Sequence, residues 1–325
     1  MRVDTLQRNA GLVLGYVVLA AMAAFYVLRA ESKGQLDFYS VQSIFNNAMP
    51  LVLVAVGETF VILTGGIDLS VGAIVSVTNC LAAVTLHDSV GSMLLWSVLI
   101  VLVGGVAGAL NGVCVAFGRL QSIVVTLATL SIGSGVALFI LAQPGGQIPT
   151  SYSALLTGAI VGVVPGAAVA VILVVLVWLA FRRTALAVSI YAIGGDRQSA
   201  QASGVPVRAA TISAYVLSGV FAALGGLYLS GVTSTGDPNA GTTYTLTAIA
   251  AVVLGGVRLS GGKGSAVGSI AGAFVLTLIV NVLFLANINP WLQDFFEGLV
   301  LIVALAANVV LSRVLARTSR AQRVG

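Results

Sequence analysis

Apolar residues in this chain fall in long unbroken runs, not in the short alternations of strands or the one-sided stripes of soluble helices. Runs lie near 11–28, 48–64, 69–86, 92–117, 121–142, 158–181, 210–233, 245–257, 265–288 and 291–311. A membrane crossing takes about 20 apolar residues, and a soluble helix would show a polar face every three to four positions. The pattern predicts an all-α polytopic membrane protein with about ten transmembrane helices. Polar punctuation sets the limits. Residues 29–47 are expected outside the hydrocarbon, Gly118-Arg119-Leu120 divides two spans, and Gln143–Ser153 is a Pro/Gly/Ser loop. Arg182–Arg208 is the longest polar stretch of the interior. The first run has a cleavage-like Ala-Met-Ala at 21–23, but its length and the spans that follow favour a retained helix.

Composition agrees. Hydrophobic residues make up 58% of 325 and charged residues 8%, against roughly 25% charged in soluble domains. An even number of spans puts both termini on one side. Of the 15 Lys and Arg, only Arg29 and Lys33 then fall opposite. By the positive-inside rule, both termini and the 182–209 loop are cytoplasmic. The net charge of +5 therefore reports topology and gives no reason to expect a nucleic-acid partner. Cys80 and Cys114 read as small core residues, and with His87 the only histidine no metal site is expected. No loop exceeds about 30 residues, too few for a soluble domain, so residues 1–325 read as a single transmembrane domain.

Two places break the apolar pattern. Gly65-Gly66-Ile67-Asp68-Leu69-Ser70-Val71-Gly72 interrupts nearly forty apolar residues, with Glu58 one helical stretch earlier. Broken backbone at membrane depth survives only where protein buries it or a wet cavity lies beside it. Two readings stand: a tight cytoplasmic turn, or a break beside a permeation route marked by Asp68. Glu58 is likewise either a site residue or a hydrogen-bond anchor. Gly255–Gly262 repeats the pattern Gly-Gly-x-x-Leu-Ser-x-Gly, with Arg258 where the first copy has Asp68, which suggests equivalent gate elements and a charge pair. The ladders Gly104-Gly108-Gly112 and Gly264-Gly268-Gly272 predict close helix packing. Asn79, Asn111, Thr126, Thr129 and Asn281 are neutral polar residues in spans, suited to a hydroxylated solute or to interhelical hydrogen bonds. Gly194-Gly195-Asp196 reads as a helix start capped by Asp196, and Gly204 as its C-terminal stop. The result is a surface docking helix or a solvated loop.

The runs "AVGETFVILTGGIDLSVGAIVSV" (55–77), "SIYAIGGDRQSAQASGV" (189–205), "AYVLSGVFAALGGLYLSG" (214–231) and "AIAAVVLGGVRLSGGKGSAVGSIAGA" (248–273) resemble the permease subunit of bacterial ribose/xylose/arabinose-type ABC importers. The resemblance implies a type II ABC importer permease-like bundle of ten spans in the bacterial cytoplasmic (inner) membrane, acting as a dimer. It implies a cytoplasmic ATPase partner that binds ATP, with no cofactor in this chain, and a periplasmic or surface-tethered sugar-binding protein. Residues 196–204 match the family's coupling helix, which puts Gly195, Asp196, Arg197, Ala200, Ser203 and Gly204 at the ATPase contact. Members tend to read Glu-Ala-Ala-Arg-Leu-Ser-Gly where this chain has Gln198-Ser199-Ala200-Gln201-Ala202-Ser203-Gly204, so the usual acid and base are neutral here. Asn111 and Asn281 also resemble family positions. The implied function is ATP-driven import of a sugar or sugar-like solute by alternating access; the alternative is an ion-coupled secondary transporter or a passive channel. Gly262-Lys263 lacks the rest of a P-loop, and Leu259–Lys263 mimics an ATPase signature without a nucleotide domain.

Overall fold

The computed structural model describes residues 10–289 and positions 292, 295, 298, 299 and 302. The tenth apolar run (291–311), the first nine residues and the arginine-rich tail lie almost wholly outside the described residues. The other nine runs each hold a helix. These are α1 (Ala10–Ser32), α2 (Phe38–Leu63), α3 (Val71–Thr85), α4 (Val90–Ala116), α5 (Ser122–Ile140), α7 (Gly166–Phe181), α10 (Val207–Thr233), α11 (Thr242–Leu254) and α12 (Ala266–Leu285). The remaining helices, α6 (Thr150–Thr157), α8 (Ala185–Gly195) and α9 (Arg197–Ala202), lie between spans. Among the described residues, six helices are long and apolar enough to cross a membrane, and α7 with α8 forms a further pair bent by 78°. α3 and α11 are apolar but shorter. The chain is a polytopic all-α membrane protein.

α2 and α10 are the central helices, buried along most of their length, while α1, α4, α5 and α7 present Leu, Val and Phe outward. Outward apolar side chains are what a lipid-facing surface requires. α2 starts ten residues earlier than its apolar run because Asp37 and Ser40 form a reciprocal capping box, which satisfies the first free N–H groups. The run 158–181 is not helical throughout. Ala159–Ile160 pairs with Val164–Pro165 as a small hairpin, closed by the three residues 161–163, with Val161 and Gly162 in left-handed backbone at φ of 54° and 74°. The 182–209 stretch is mostly helix, because Ala187, Ile190 and Ile193 give α8 a buried face within a run too short to register as a span.

The cores follow from aromatics and glycines. Phe60 of α2 meets Phe181 at 4.9 Å, Trp178 at 5.4 Å and Phe221 at 5.8 Å between ring centroids, and Trp178 donates to Ser265 Oγ at 3.0 Å. One cluster thus joins α2, α7, α10 and the start of α12. Along α4, a Cβ at Gly104 would lie 2.4 Å from the Gly219 carbonyl, and one at Gly108 only 2.1 Å from that of Tyr215. The second ladder works the same way at Gly268 and Gly272, against Gly255 and Ala251 of the α11 end. Gly264, outside the helix at φ 136°, packs on Val257 instead. Gly108→Val should therefore force α4 off α10, an overpacking cost of about 1–3 kcal/mol or more. It should lower the melting temperature in detergent, whereas Gly91→Ala, with open space around it, should leave it unchanged.

Candidate functional site

One end of the bundle carries three chain breaks in contact. α2 stops at a C-cap in which Gly65, at φ 83°, donates to Ile62 O (2.9 Å) and Gly66 donates to Val61 O (3.2 Å). α11 stops the same way, with Gly256 at φ 83° donating to Val253 O (2.9 Å) and Val257 to Val252 O (3.2 Å). The repeat is therefore a repeat of caps. Its register differs by one: Leu-Ser follows the capping glycine at 69–70 in one copy and 259–260 in the other, so Arg258 stands where the first copy has Ile67, not Asp68. Arg258 is exposed while Asp68 is fully buried, and no ion pair joins them. The charge pair suggested by the alignment is corrected by this one-residue slip. The two turns touch, since Gly262 N–H donates to Leu63 O at 3.0 Å. Gly194, just before the surface helix, fits so closely that a Cβ there would lie 1.9 Å from the same carbonyl.

The non-helical segment 65–70 hangs on side chains from four helices. Asp68 N–H donates to Glu58 Oε1 at 3.0 Å. Asp68 Oδ1 accepts from Ser70 N–H (3.0 Å) and Ser70 Oγ (2.5 Å), and Oδ2 accepts from Ser218 Oγ of α10 at 2.9 Å. Asn111 of α4 donates to Ser70 Oγ at 2.9 Å and accepts from Thr129 Oγ1 of α5 at 2.5 Å. Ile67 is held on both sides, donating to Ser122 Oγ and accepting from Thr126 Oγ1, each at 3.3 Å. Five of the sequence-derived candidates, Glu58, Asp68, Asn111, Thr126 and Thr129, thus meet in one knot. Its arrangement is that of an anchor: Glu58, Asp68, Ser70, Asn111 and Thr126 are buried, and their partners are each other and the broken backbone. Glu58 Oε2 and Tyr215 Oη have no partner.

A second break escaped the sequence pattern. α11 has 13 residues, about 20 Å at ~1.5 Å per residue, short of a hydrocarbon core of about 30 Å. Residues 234–241 precede it as a run of bends and turns along α3. Gly236 exchanges backbone hydrogen bonds with Gly145 (2.9 Å each) beside Ala83, Asp237 N–H donates to Asn79 Oδ1 (2.7 Å), and Gly241 N–H donates to Ser76 Oγ (2.9 Å). Gly241 and Thr245 then cover Gly72. Gly72, Ser76, Asn79 and Ala83 form a single stripe at helical spacing, and Asn79 serves there as a backbone holder. Ser70, Ser76, Ser122 and Ser218, which complete these networks, were not distinguishable in the sequence from other small residues of the spans. Asn281 lies far from the knot, on α12, in a cleft shared with α2 and α11.

The surface helix forms as its sequence suggests. Asp196 accepts from Ser199 N–H at 2.8 Å. Gly204, at φ 80°, donates to Gln201 O, and Val205 donates to Ala200 O, both at 3.1 Å, a complete C-terminal capping motif. Ala200 is buried, whereas Gly195, Asp196, Arg197, Ser203 and Gly204 are exposed. The Asp196 carboxyl is held below the usual aspartate range by its hydrogen bond from the Ser199 backbone. No group of three or more metal-ligating side chains occurs among the described residues.

A multi-span bundle with buried helix breaks and a capped surface helix is the construction of a transport subunit, and comparison with known proteins gives its family. Residues 40–305 match the family described as branched-chain amino acid transport system / permease component, and the chain belongs to it. The chain is 34% identical over 282 residues to the ribose import permease protein RbsC of Haemophilus influenzae, covering 84% of this chain and 86% of that one. It is 33% identical over 313 residues to the autoinducer 2 import system permease protein LsrC of Yersinia enterocolitica, covering 95% and 86%, and 35% identical over 315 residues to LsrC of Yersinia pestis, covering 95% and 88%. No solved structure matches.

Replacing Asp68 by Ala strands the Ser218 and Ser70 hydroxyls and the Ser70 N–H, at about 1–3 kcal/mol for each buried group left unpaired. Thermal unfolding in detergent should show a clear loss of stability for Asp68→Ala and a smaller one for Asp68→Asn, which keeps one acceptor.

Proposed function

We propose that this chain is the membrane permease subunit of an ATP-driven importer in the bacterial cytoplasmic membrane, moving a sugar or sugar-like solute inward. Its family and its ribose and autoinducer-2 relatives support the transport class. The basic end of the bundle faces the cytoplasm, with ten spans counted when the 291–311 run is included. ATP is hydrolysed on a separate ATPase, and a binding protein delivers solute on the opposite side of a permease dimer. The chain contributes no catalytic residue.

The capped helix 197–202 carries this reading. It is too short to be stable alone, yet it is capped at both ends and held out on the basic face, which suits a knob for a partner's groove. A push on it passes through the Gly194–Gly195 backbone to the Leu63 carbonyl and the Gly261–Gly262 turn, and so to the end of α2 and the buried knot. Solute class follows from charge. A zwitterionic amino acid asks for charged groups or helix ends of both signs, whereas the buried carboxylates among the described residues, Glu58 and Asp68, bond the broken backbone and its serines. A neutral hydroxylated solute needs none.

In proteoliposomes, sugar uptake should require ATP and the partner ATPase; uptake down an ion gradient without the ATPase would establish a secondary transporter instead. Gly204→Val forces a branched residue into left-handed backbone and should abolish co-purification with the ATPase while leaving the bundle folded. The lowered Asp196 pKa fixes the sign of a pH effect. An acid with a depressed folded pKa contributes stability above its unfolded value and loses it as pH falls through the folded one. ATPase association should therefore hold through neutral pH and decline only in acid, and Asp196→Asn, which caps without titrating, should flatten that acid decline in a pull-down series.

A further inference from the structure

Three helices place polar pairs at i and i+4 on one cleft of about 540 Å³: Ser43 and Asn47 from α2, Thr243 and Thr247 from α11, Thr277 and Asn281 from α12. Residues four apart share a helix face, so each helix turns a two-residue polar strip to the same space. Elsewhere the outward surface of the spans is Leu, Val, Ile and Phe. Thr247, Thr277 and Asn281 fall within the apolar runs, and polar groups there belong beside a wet cavity or protein, not lipid.

Its chemistry is specific. Among the described residues, no side chain lining the cleft is charged. Asn281 Nδ2 donates to Thr277 O at 2.8 Å and Asn47 Nδ2 to Ser43 Oγ at 3.3 Å, which leaves both amide oxygens free. The Thr247 and Thr277 hydroxyls donate to the Thr243 and Ala273 carbonyls, so their oxygens can still accept. Tyr244 and Phe284 add aromatic surface beside these groups. Hydrogen-bond acceptors and donors next to aromatic faces suit a ligand that carries hydroxyls on one edge and C–H groups on its face.

We propose that this α2/α11/α12 cleft is the hydroxyl-binding segment of the solute route, taking a neutral polyhydroxylated molecule. The proposal rests on the importer reading above and gives the solute its place, away from the buried Glu58–Asp68 knot. Residues 234–241, a run of turns held along α3, set the start of α11 so that Thr243 and Thr247 share the cleft with α12.

Cysteine labelling and uptake test it together. In a Cys114→Ser background, Asn47→Cys, Thr247→Cys and Asn281→Cys should react with a charged, membrane-impermeant methanethiosulfonate. Leu102→Cys and Leu173→Cys, on outward apolar faces, should not. In cells with the ATPase and binding protein, uptake is measured for ribose, xylose, arabinose and galactose. Whichever sugar the wild type takes up should slow labelling of the cleft cysteines. Asn281→Ala and Thr247→Val should lower its uptake at least tenfold with binding-protein-stimulated ATP hydrolysis retained, and Thr247→Ser should restore it. Unreactive cleft cysteines, or variants that transport like wild type, overturn the proposal. Loss of both uptake and stimulated hydrolysis in every cleft variant, Thr247→Ser included, also overturns it, since that marks a purely structural role. Wild-type cells that take up none of the sugars overturn the importer's solute class, a failure read on uptake and independent of the labelling pattern.

Discussion

Backbone that leaves the helix inside an apolar medium must find partners for every N–H and C=O, and this requirement organises the protein. In a straight span the helix meets it internally. Here two non-helical segments lie packed between helices. The segment 65–70 is held by Glu58, Asp68, Ser122, Thr126 and Ser218, and the segment 234–241 by Asn79, Ser76 and the Gly145 backbone. Most of the polar residues that stand out in the spans are spent on these two tasks.

The glycines follow from the same demand. Short side chains hold a broken backbone only if the helices carrying them come close, and close approach needs faces without Cβ. Gly104 and Gly108 let α4 reach α10, which sets Asn111 and Ser218 on opposite sides of Ser70 and Asp68. Gly72 lets the start of α11 lie on α3. Knots of this kind hold completely or fail, because a half-satisfied buried network costs more than none. They make stiff units, and rigid-body rocking needs stiff units that meet at narrow contacts. The Leu63–Gly194–Gly262 junction is such a contact, made of backbone, and it links the surface helix to the end of α2.

Separating the anchoring groups from the wet groups changes what a mutation in a span reports. A carboxylate in a membrane segment marks a site by default. Glu58 and Asp68 instead close a loop, whereas the neutral Asn and Thr pairs of α2, α11 and α12 face open space. The described buried carboxylates belong to the protein's own architecture, and on the proposed route the solute meets amides, hydroxyls and rings.

The sequence alone determined the class, the positions of nine helices, the close-packing role of the glycine ladders and the capped surface helix. Each of these depends on local chemistry: apolar length, missing Cβ atoms, an Asp before a helix and a Gly after it. Tertiary structure decided the rest. Arg258 parted from Asp68 because two identical caps start one residue apart relative to Leu-Ser. Residues 158–165 became a hairpin, and α11 became a short helix entered through a run of turns. Asn79 and Asn281 are the same residue type in similar apolar settings, yet one holds backbone and the other faces a cleft. Only the position of a neighbouring helix distinguishes them, and no window of sequence contains that neighbour.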